Sequence, residues 1–350
     1  MKTEKHIVAS KVLPLFAVVA MLFGSCEKVI QFDPGDISPY VVMISKPEND
    51  SLMTVYIGYS RFFLDNGRFG SIDNASVSVS VGDVTYSGIY DSTCFQIPEY
   101  YDYYDYYKYG GDNYYGGYRF SLRPKIGDTL RVLAHVPGHD GDVSAVTVVP
   151  QQVQVEIMDY ICDTTERSRY GETSYKIRIK IKSNSSKEYY NLSIYTADVL
   201  WIDDTTRIWD TTSFYKKYFS VNDPIVNSLS VGDALDGYDG SFYGNTLEFS
   251  SEMFSGGEHE FTLEFENWNG YYTHSYLTEE IPVRLYIKSL SEDLHKYNTT
   301  SSGYSSDIDN LFSEPVQVYC NIEGGIGILG ASTSRVITMP SPRFEHFTHN

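Results

Sequence analysis

The sequence predicts a mainly β protein built as two β-sandwich, immunoglobulin-like domains, with one or two short helices near the C-terminus. Three observations carry this. Short runs alternate apolar and polar residues, as at Ala75–Val81 and Tyr175–Lys182, the period-two pattern of a half-buried strand. Gly82-Asp83 and Gly127-Asp128 separate such runs, and glycine-aspartate pairs suit tight turns. The composition favours strand formers: 32 tyrosines and 18 phenylalanines accompany abundant threonine, valine and isoleucine.

At the N-terminus, Lys2, Lys5 and Lys11 flank or precede an apolar run, Val12–Phe23. That run is shorter than the roughly 20 residues a membrane span needs and reads as the core of a secretory leader. It ends in Leu22-Phe23-Gly24-Ser25-Cys26. Small residues before a cysteine resemble a bacterial lipobox, although Phe23 is larger than usual at its place; an ordinary secretory signal with an incidental cysteine is the alternative. The expectation is a lipoprotein signal peptide over 1–25, lipidation at Cys26 and a tether over 26–37. Each buried methylene contributes about 0.8 kcal/mol, so several acyl chains anchor durably. Loss of Lys2, Glu4, Lys5 and Lys11 with the leader leaves 24 basic and 45 acidic groups, a charge of −21. So acidic a body is held off an anionic membrane rather than flat on it.

The first sandwich is expected over 38–150. Tyr40–Ile44, Met53–Tyr59, the Ala75–Val81/Val84–Tyr86 hairpin, Tyr118–Leu122, Thr129–Val136 and Val143–Val149 supply about seven strands. Between them lies a tyrosine-rich stretch, 99–118. From Tyr100 it repeats every three residues: Tyr100-Tyr101-Asp102, Tyr103-Tyr104-Asp105, Tyr106-Tyr107-Lys108, followed by Tyr109, Tyr114 and Tyr115. Period three gathers apolar groups on one side of neither a strand nor a helix. Pro98, Gly110-Gly111 and Gly116-Gly117 add breaks. The stretch therefore reads as a long surface loop or an irregular hairpin. Tyrosine combines broad, fairly rigid apolar area with a polar tip, so these tyrosines are candidate contacts for a peptide, glycan or protein partner. A variable loop under little constraint is the plain alternative.

Pro150-Gln151-Gln152 marks the junction to a second sandwich over 151–340, with a tail over 341–350. Tyr175, Ile177, Ile179 and Ile181 alternate with Lys176, Arg178, Lys180 and Lys182, one dry and one wet face of an antiparallel sheet. Further strands are expected at Val153–Ile157, Tyr190–Thr196, Thr246–Ser250, Phe261–Phe265, Val283–Ile287 and Val316–Cys320. Trp201-Ile202-Asp203-Asp204 is echoed by Ile208-Trp209-Asp210, a hairpin whose tryptophans Trp201 and Trp209 are either core or a stacking platform. Ser291 caps a helix with Glu292 and Asp293 in its first turn. Thr299–Asp309 is polar and is expected to be a loop.

Other chemistry is sparse. The chain carries 27 basic and 46 acidic groups, a charge of −19, which argues against nucleic acid, where phosphates demand a basic face. Gly325-Ile326-Gly327-Ile328-Leu329-Gly330 matches the dinucleotide fingerprint literally. That fingerprint must open a helix inside a βαβ unit, whereas Pro340 and Pro342 follow with no helical pattern, so a glycine-rich structural bend fits better. His135 and His139 flank Pro137-Gly138, which breaks any metal-binding helix. Asp233, Asp236 and Asp239 are spaced by three, unlike an EF-hand loop. No metal, cofactor or catalytic set is expected, and the protein reads as non-enzymatic. Cys94, Cys162 and Cys320 permit at most one disulfide.

The stretch Phe312–Gly330, with Glu323-Gly324-Gly325-Ile326-Gly327-Ile328-Leu329-Gly330 at its end, resembles the closing motif of a family of Bacteroidetes lipoproteins, domain of unknown function 4249. That family usually shows serine where this chain has Cys320. The similarity extends to Cys26-Glu27-Lys28-Val29-Ile30, Asn74-Ala75-Ser76-Val77, Gly127-Asp128-Thr129-Leu130 and Val148-Val149-Pro150, so it spans nearly all of the mature chain. The tyrosine run is outside the shared pattern. The resemblance implies an outer-membrane lipoprotein encoded beside a TonB-dependent receptor and accessory to nutrient uptake. It supplies no catalytic residues to carry over. The expected localisation is the outer membrane, lipid-anchored and surface-exposed. A surface adhesin or envelope-structural protein is the alternative function.

Overall fold

The computed structural model describes residues 39–60, 70–96, 114–163, 172–201, 207–227, 242–268, 281–307 and 317–345. The segments expected as signal peptide and tether, Cys26, the stretch 233–239 and the end of the expected tail lie outside them. From Tyr40 onward the chain is one compact unit. It is mainly β, as the alternation predicts, and its strands enclose two large apolar cores.

Ahead of residue 150 run β1 (Val41–Ser45), β2 (Thr54–Tyr59), β3 (Ser76–Val81), β4 (Val84–Ser87), β5 (Ile89–Gln96), β6 (Tyr114–Arg119), β7 (Thr129–His135) and β8 (Asp142–Val148). Strands β4-β3-β7-β8 form one sheet, and β1-β2-β6-β5 belong to another. Val41, Met43, Val55 and Ile57 of the second sheet meet Val77, Val79, Leu130 and Val132 of the first in one core. Strand β7 shows why: Leu130, Val132 and Ala134 are buried while Arg131, Leu133 and His135 face out. At the β3–β4 turn Gly82 has φ of 55°, a left-handed conformation that glycine adopts without steric cost.

Beyond residue 150 run β9 (Gln154–Asp163), β10 (Glu172–Lys182), β11 (Tyr189–Trp201), β12 (Arg207–Lys217), β13 (Phe219–Val221), α1 (Pro224–Asn227), β14 (Phe242–Gly244), β15 (Leu247–Ser250), β16 (Glu258–Trp268), β17 (Val283–Leu290), α2 (Glu292–Asp307), β18 (Ile326–Leu329), β19 (Ser332–Thr338) and β20 (Arg343–Glu345). One sheet runs β14-β13-β16-β10-β9-β20 and the other β12-β11-β17-β19, with β15 also on β11. Tyr175, Ile177, Ile179 and Ile181 of β10 face Leu192, Ile194, Leu285 and Ile287 across the second core. On the outer face of β10, Lys176 pairs with Glu264 at 2.8 Å and Lys180 with Glu260 at 3.0 Å, with Arg178 at 3.4 Å from Glu260. The wet face of this strand is thus a ladder of matched charges across β10 and β16.

The C-terminal motif ties the two cores together. Strand β18 joins β1 in parallel, with Met43 opposite Gly327, and Ile322, Leu329 and Ala331 enter the first core. One residue later β19 pairs antiparallel with β17 of the second sandwich. The glycine run is therefore a crossing point between sheets, and a strand follows it where a dinucleotide site would need a helix.

Four expectations are corrected. Residues 317–320 are not strand: Tyr319 N–H donates to Thr300 Oγ1 at 2.9 Å and Tyr319 Oη to Asp293 at 2.6 Å, so this stretch is bonded to helix α2 instead of to a ladder. The polar Thr299–Asp307 segment is helix, and within it the hydroxyls of Thr299, Thr300 and Ser301 are satisfied by carbonyls three or four residues back. Gly116-Gly117 lie inside β6, not in a loop; a Cβ on Gly116 would stand 2.0 Å from Tyr90 Oη, so this glycine makes room for a ring crossing the strand. Arg343–Glu345, expected as tail, adds β20 beside β9.

Candidate functional site

The tyrosine-rich stretch is carried by an irregular hairpin. Strands β5 and β6 pair antiparallel, Ile89 opposite Arg119 and Gln96 opposite Tyr114, with a register shift between Asp91 and Phe95. A bulge of this kind bends a strand and raises its twist. Tyr114 and Tyr115 open β6. Tyr100, Tyr101, Tyr103, Tyr104, Tyr106, Tyr107 and Tyr109 belong to the connection between the strands, outside the described residues.

The base of the hairpin is rigidly built. Tyr118 is 2% exposed, and its hydroxyl donates to Ile72 O at 2.8 Å while accepting from Ala75 N–H at 2.9 Å. Tyr90 packs edge-on against it with centroids 5.6 Å apart, and its hydroxyl shares a hydrogen bond with Ser71 at 2.8 Å. Beside this pair opens a shallow cleft of about 660 Å³, lined by Leu52, Ile89, Asp91, Arg119 and Phe120 among others. Ile89 is 75% exposed and Leu52 50% exposed, so apolar area faces water there. Arg119 Nε meets Asp91 at 2.6 Å. The Thr93 hydroxyl and backbone N–H, then the Arg119 charge, hold the Asp91 carboxyl below its usual range. The cleft thus offers an apolar floor and one fixed ion pair, features that suit contact with a partner and contain no nucleophile–base arrangement.

The tryptophan hairpin exists as strands β11 and β12, with Trp201 opposite Arg207 and Trp209 opposite Val199. The two tryptophans are therefore not direct cross-strand partners. Elsewhere the structure presents aromatics that pattern reading passed over. Tyr218 and Tyr243 stack at 5.6 Å with 57% and 73% of their surfaces in solvent. The one hint in the sequence was the cluster Phe214-Tyr215-Lys216-Lys217-Tyr218.

The histidines of the β7–β8 turn go separate ways. His135 Nδ1 meets Asp142 at 3.1 Å and His139 Nε2 meets the Gly324 carbonyl at 3.0 Å. Among the described residues no group of three or more histidine, cysteine or acidic side chains is placed to hold a metal ion. Cys162 is buried, Cys94 half-buried and Cys320 exposed, and no two of them form a disulfide. Among the described residues no helix is long and apolar enough to cross a membrane.

No curated protein matches the chain. The family model described as a domain of unknown function (DUF4249) matches residues 27–338, from one residue past Cys26 to the end of β19; the chain belongs to that family.

Proposed function

We propose that the protein is a non-enzymatic cell-envelope lipoprotein, held to the outer membrane through Cys26, that captures a ligand or docks on a TonB-dependent receptor as an accessory to nutrient uptake. The observation that carries this reading is the junction at Cys26: an apolar leader ends in Gly24-Ser25-Cys26 and the family match starts at residue 27. The bulged β5–β6 hairpin, whose strands flank the tyrosine-rich connection in sequence and whose base lines an exposed apolar cleft, supports a contact role. Tyr114 and Tyr115 at the start of β6, with Trp201 and Trp209 on β11 and β12, are the further candidate contacts.

The first test is Cys26→Ala in the native host. Loss of acyl labelling and transfer of the protein from the membrane to the soluble fraction are expected; unchanged membrane association would defeat the anchor. The second is affinity purification from detergent-solubilised membranes. A TonB-dependent receptor recovered by the intact chain, and lost when residues 99–113 are replaced by a glycine-serine linker, is expected. A deletion strain that grows normally on limiting nutrients but loses surface attachment would replace uptake by adhesion.

A further inference from the structure

The outer face of the β12-β11-β17-β19 sheet carries a cluster of cations in a strongly acidic protein. Strand alternation sends Leu192 and Ile194 into the core and leaves Asn191, Ser193 and Tyr195 on the other face. Register then sets Lys216 opposite Tyr195, Tyr286 opposite Ser193 and Lys288 opposite Asn191. Helix α2 and the Lys46-Pro47-Glu48 segment that leaves β1 wall this face, enclosing a cleft of about 420 Å³. That volume lies within the range of small-molecule sites.

Three lysines, Lys46, Lys216 and Lys288, line the cleft. Among the described residues only Lys288 of the three forms a direct ion pair, with Glu48 at 2.6 Å. Lys216 donates to the Thr246 hydroxyl, and Lys46 sits 4.8 Å above the Tyr297 ring. The Glu248 carboxylate, bonded by His295 at 2.7 Å and by Asn298 at 3.1 Å, also lies close enough to Lys46 to favour its charged form, though burial outweighs this. Lys46 and Lys216 both keep solvent contact at the rim. Even so, surrounding protein lowers the pKa of each ammonium, and at Lys216 the like charge of Lys288 adds to the effect. This differs from the lysines of β10, which stand opposite glutamates. Three ammonium groups here face two carboxylates, Glu48 and Glu248, and the excess positive charge is one that a bound anion relieves. On the same face Tyr195 and Tyr286 lie with ring centroids 4.6 Å apart, presenting ring surface beside the charges.

We propose that this cleft binds a small organic anion, a sugar acid or sugar phosphate, whose charged group is held by Lys46, Lys216 and Lys288 and whose ring packs against Tyr195 and Tyr286. Ammonium groups suit this as point charges that accept either a carboxylate or a phosphate. The proposal does not depend on the lipid anchor or the tyrosine hairpin. An unlipidated Cys26 leaves it standing, and a failure to bind anions leaves the anchor standing.

The test is calorimetric titration of the purified full chain with galacturonate and with glucose 6-phosphate, with glucose as the neutral control. Binding of at least one anion, weakened by added salt, is expected. Galacturonate alone binding assigns a carboxylate ligand, and glucose 6-phosphate alone a phosphate ligand. Lys46→Gln and Lys216→Gln should each weaken binding about tenfold, while Lys216→Arg and the ladder variant Lys180→Gln retain it. Thermal unfolding checks that each variant folds; should Lys46→Gln fail to fold, Lys216→Gln decides alone. Absence of binding of both anions at about 10 mM, equal binding of glucose, or unchanged affinity of Lys216→Gln would overturn the proposal.

Discussion

Gly327 packs against Met43 so closely that a Cβ on Gly327 would stand 2.0 Å from the Met43 carbonyl oxygen. The two residues are register partners in the parallel β1–β18 pair, and Gly327 has φ of 127°, a region nearly closed to residues with a side chain. Its neighbours in the motif are confined likewise: a Cβ on Gly330 would stand 2.6 Å from Leu294 Cβ in the first turn of helix α2.

Gly327→Ala is therefore expected to destabilise the fold by about 3 kcal/mol or more, since backbone strain and a backbone clash combine. Gly70→Ala is the control, because a Cβ there meets nothing within 4 Å. Denaturant unfolding should show a lower midpoint for the first variant and none of that shift for the second.

Tyr118→Phe removes one oxygen and leaves the Ile72 carbonyl and the Ala75 N–H without the partner they share. The expected loss is about 1–3 kcal/mol, read by the same unfolding curves. Tyr90→Phe, whose hydroxyl bonds a single serine side chain, should cost less than Tyr118→Phe.

Ser291→Ala tests the link between α2 and the crossing. Ser291 Oγ accepts from Leu294 N–H at 3.3 Å, as an N-cap does, and from Ala331 N–H at 3.1 Å, just past the glycine run. Loss of both is expected to cost about 1–2 kcal/mol, and Ser291→Asp, which keeps an acceptor, should recover part of it. Amide exchange should rise in the first turn of α2 and at Ala331 together.

Stability should also fall in acid through Glu48. Burial pushes its carboxyl up, but hydrogen bonds from Lys288 and Ser334 and the Lys288 charge outweigh that, and the pKa lies below its ordinary 4.5. A carboxyl whose folded pKa is depressed contributes stability above its unfolded pKa and loses it as pH drops through the folded value. Unfolding free energy should decline from pH 4.5 downward, and Glu48→Gln should flatten that part of the curve while lowering stability at neutral pH.

Most strands were legible because each buries one face: the alternation in Ser76–Val81, Thr129–His135 and Tyr175–Lys182 needs no knowledge of a partner. Short strands such as β13 and the edge strands β14 and β20 escaped, since three residues carry no readable period. The cap at Ser291 was legible; the helix length was not, because Thr299–Ser301 are weak helix formers and their polar pattern reads as loop. At the candidate site, the tyrosine run announced itself by composition, whereas Lys46, Lys216 and Lys288 are far apart in the chain and ordinary in their surroundings.

Local chemistry along the chain was enough to specify strands, turns, the acidic balance and the lipobox-like junction at Cys26, because each depends on neighbours a few residues away. Which strands pair, why the glycine run must be glycine, and which three lysines share one cleft depend on contacts between segments hundreds of residues apart. Gly327 meets Met43, and Lys288 meets Glu48, only after the chain has closed two sheet pairs and returned from the second to the first, so long-range packing alone brings them together.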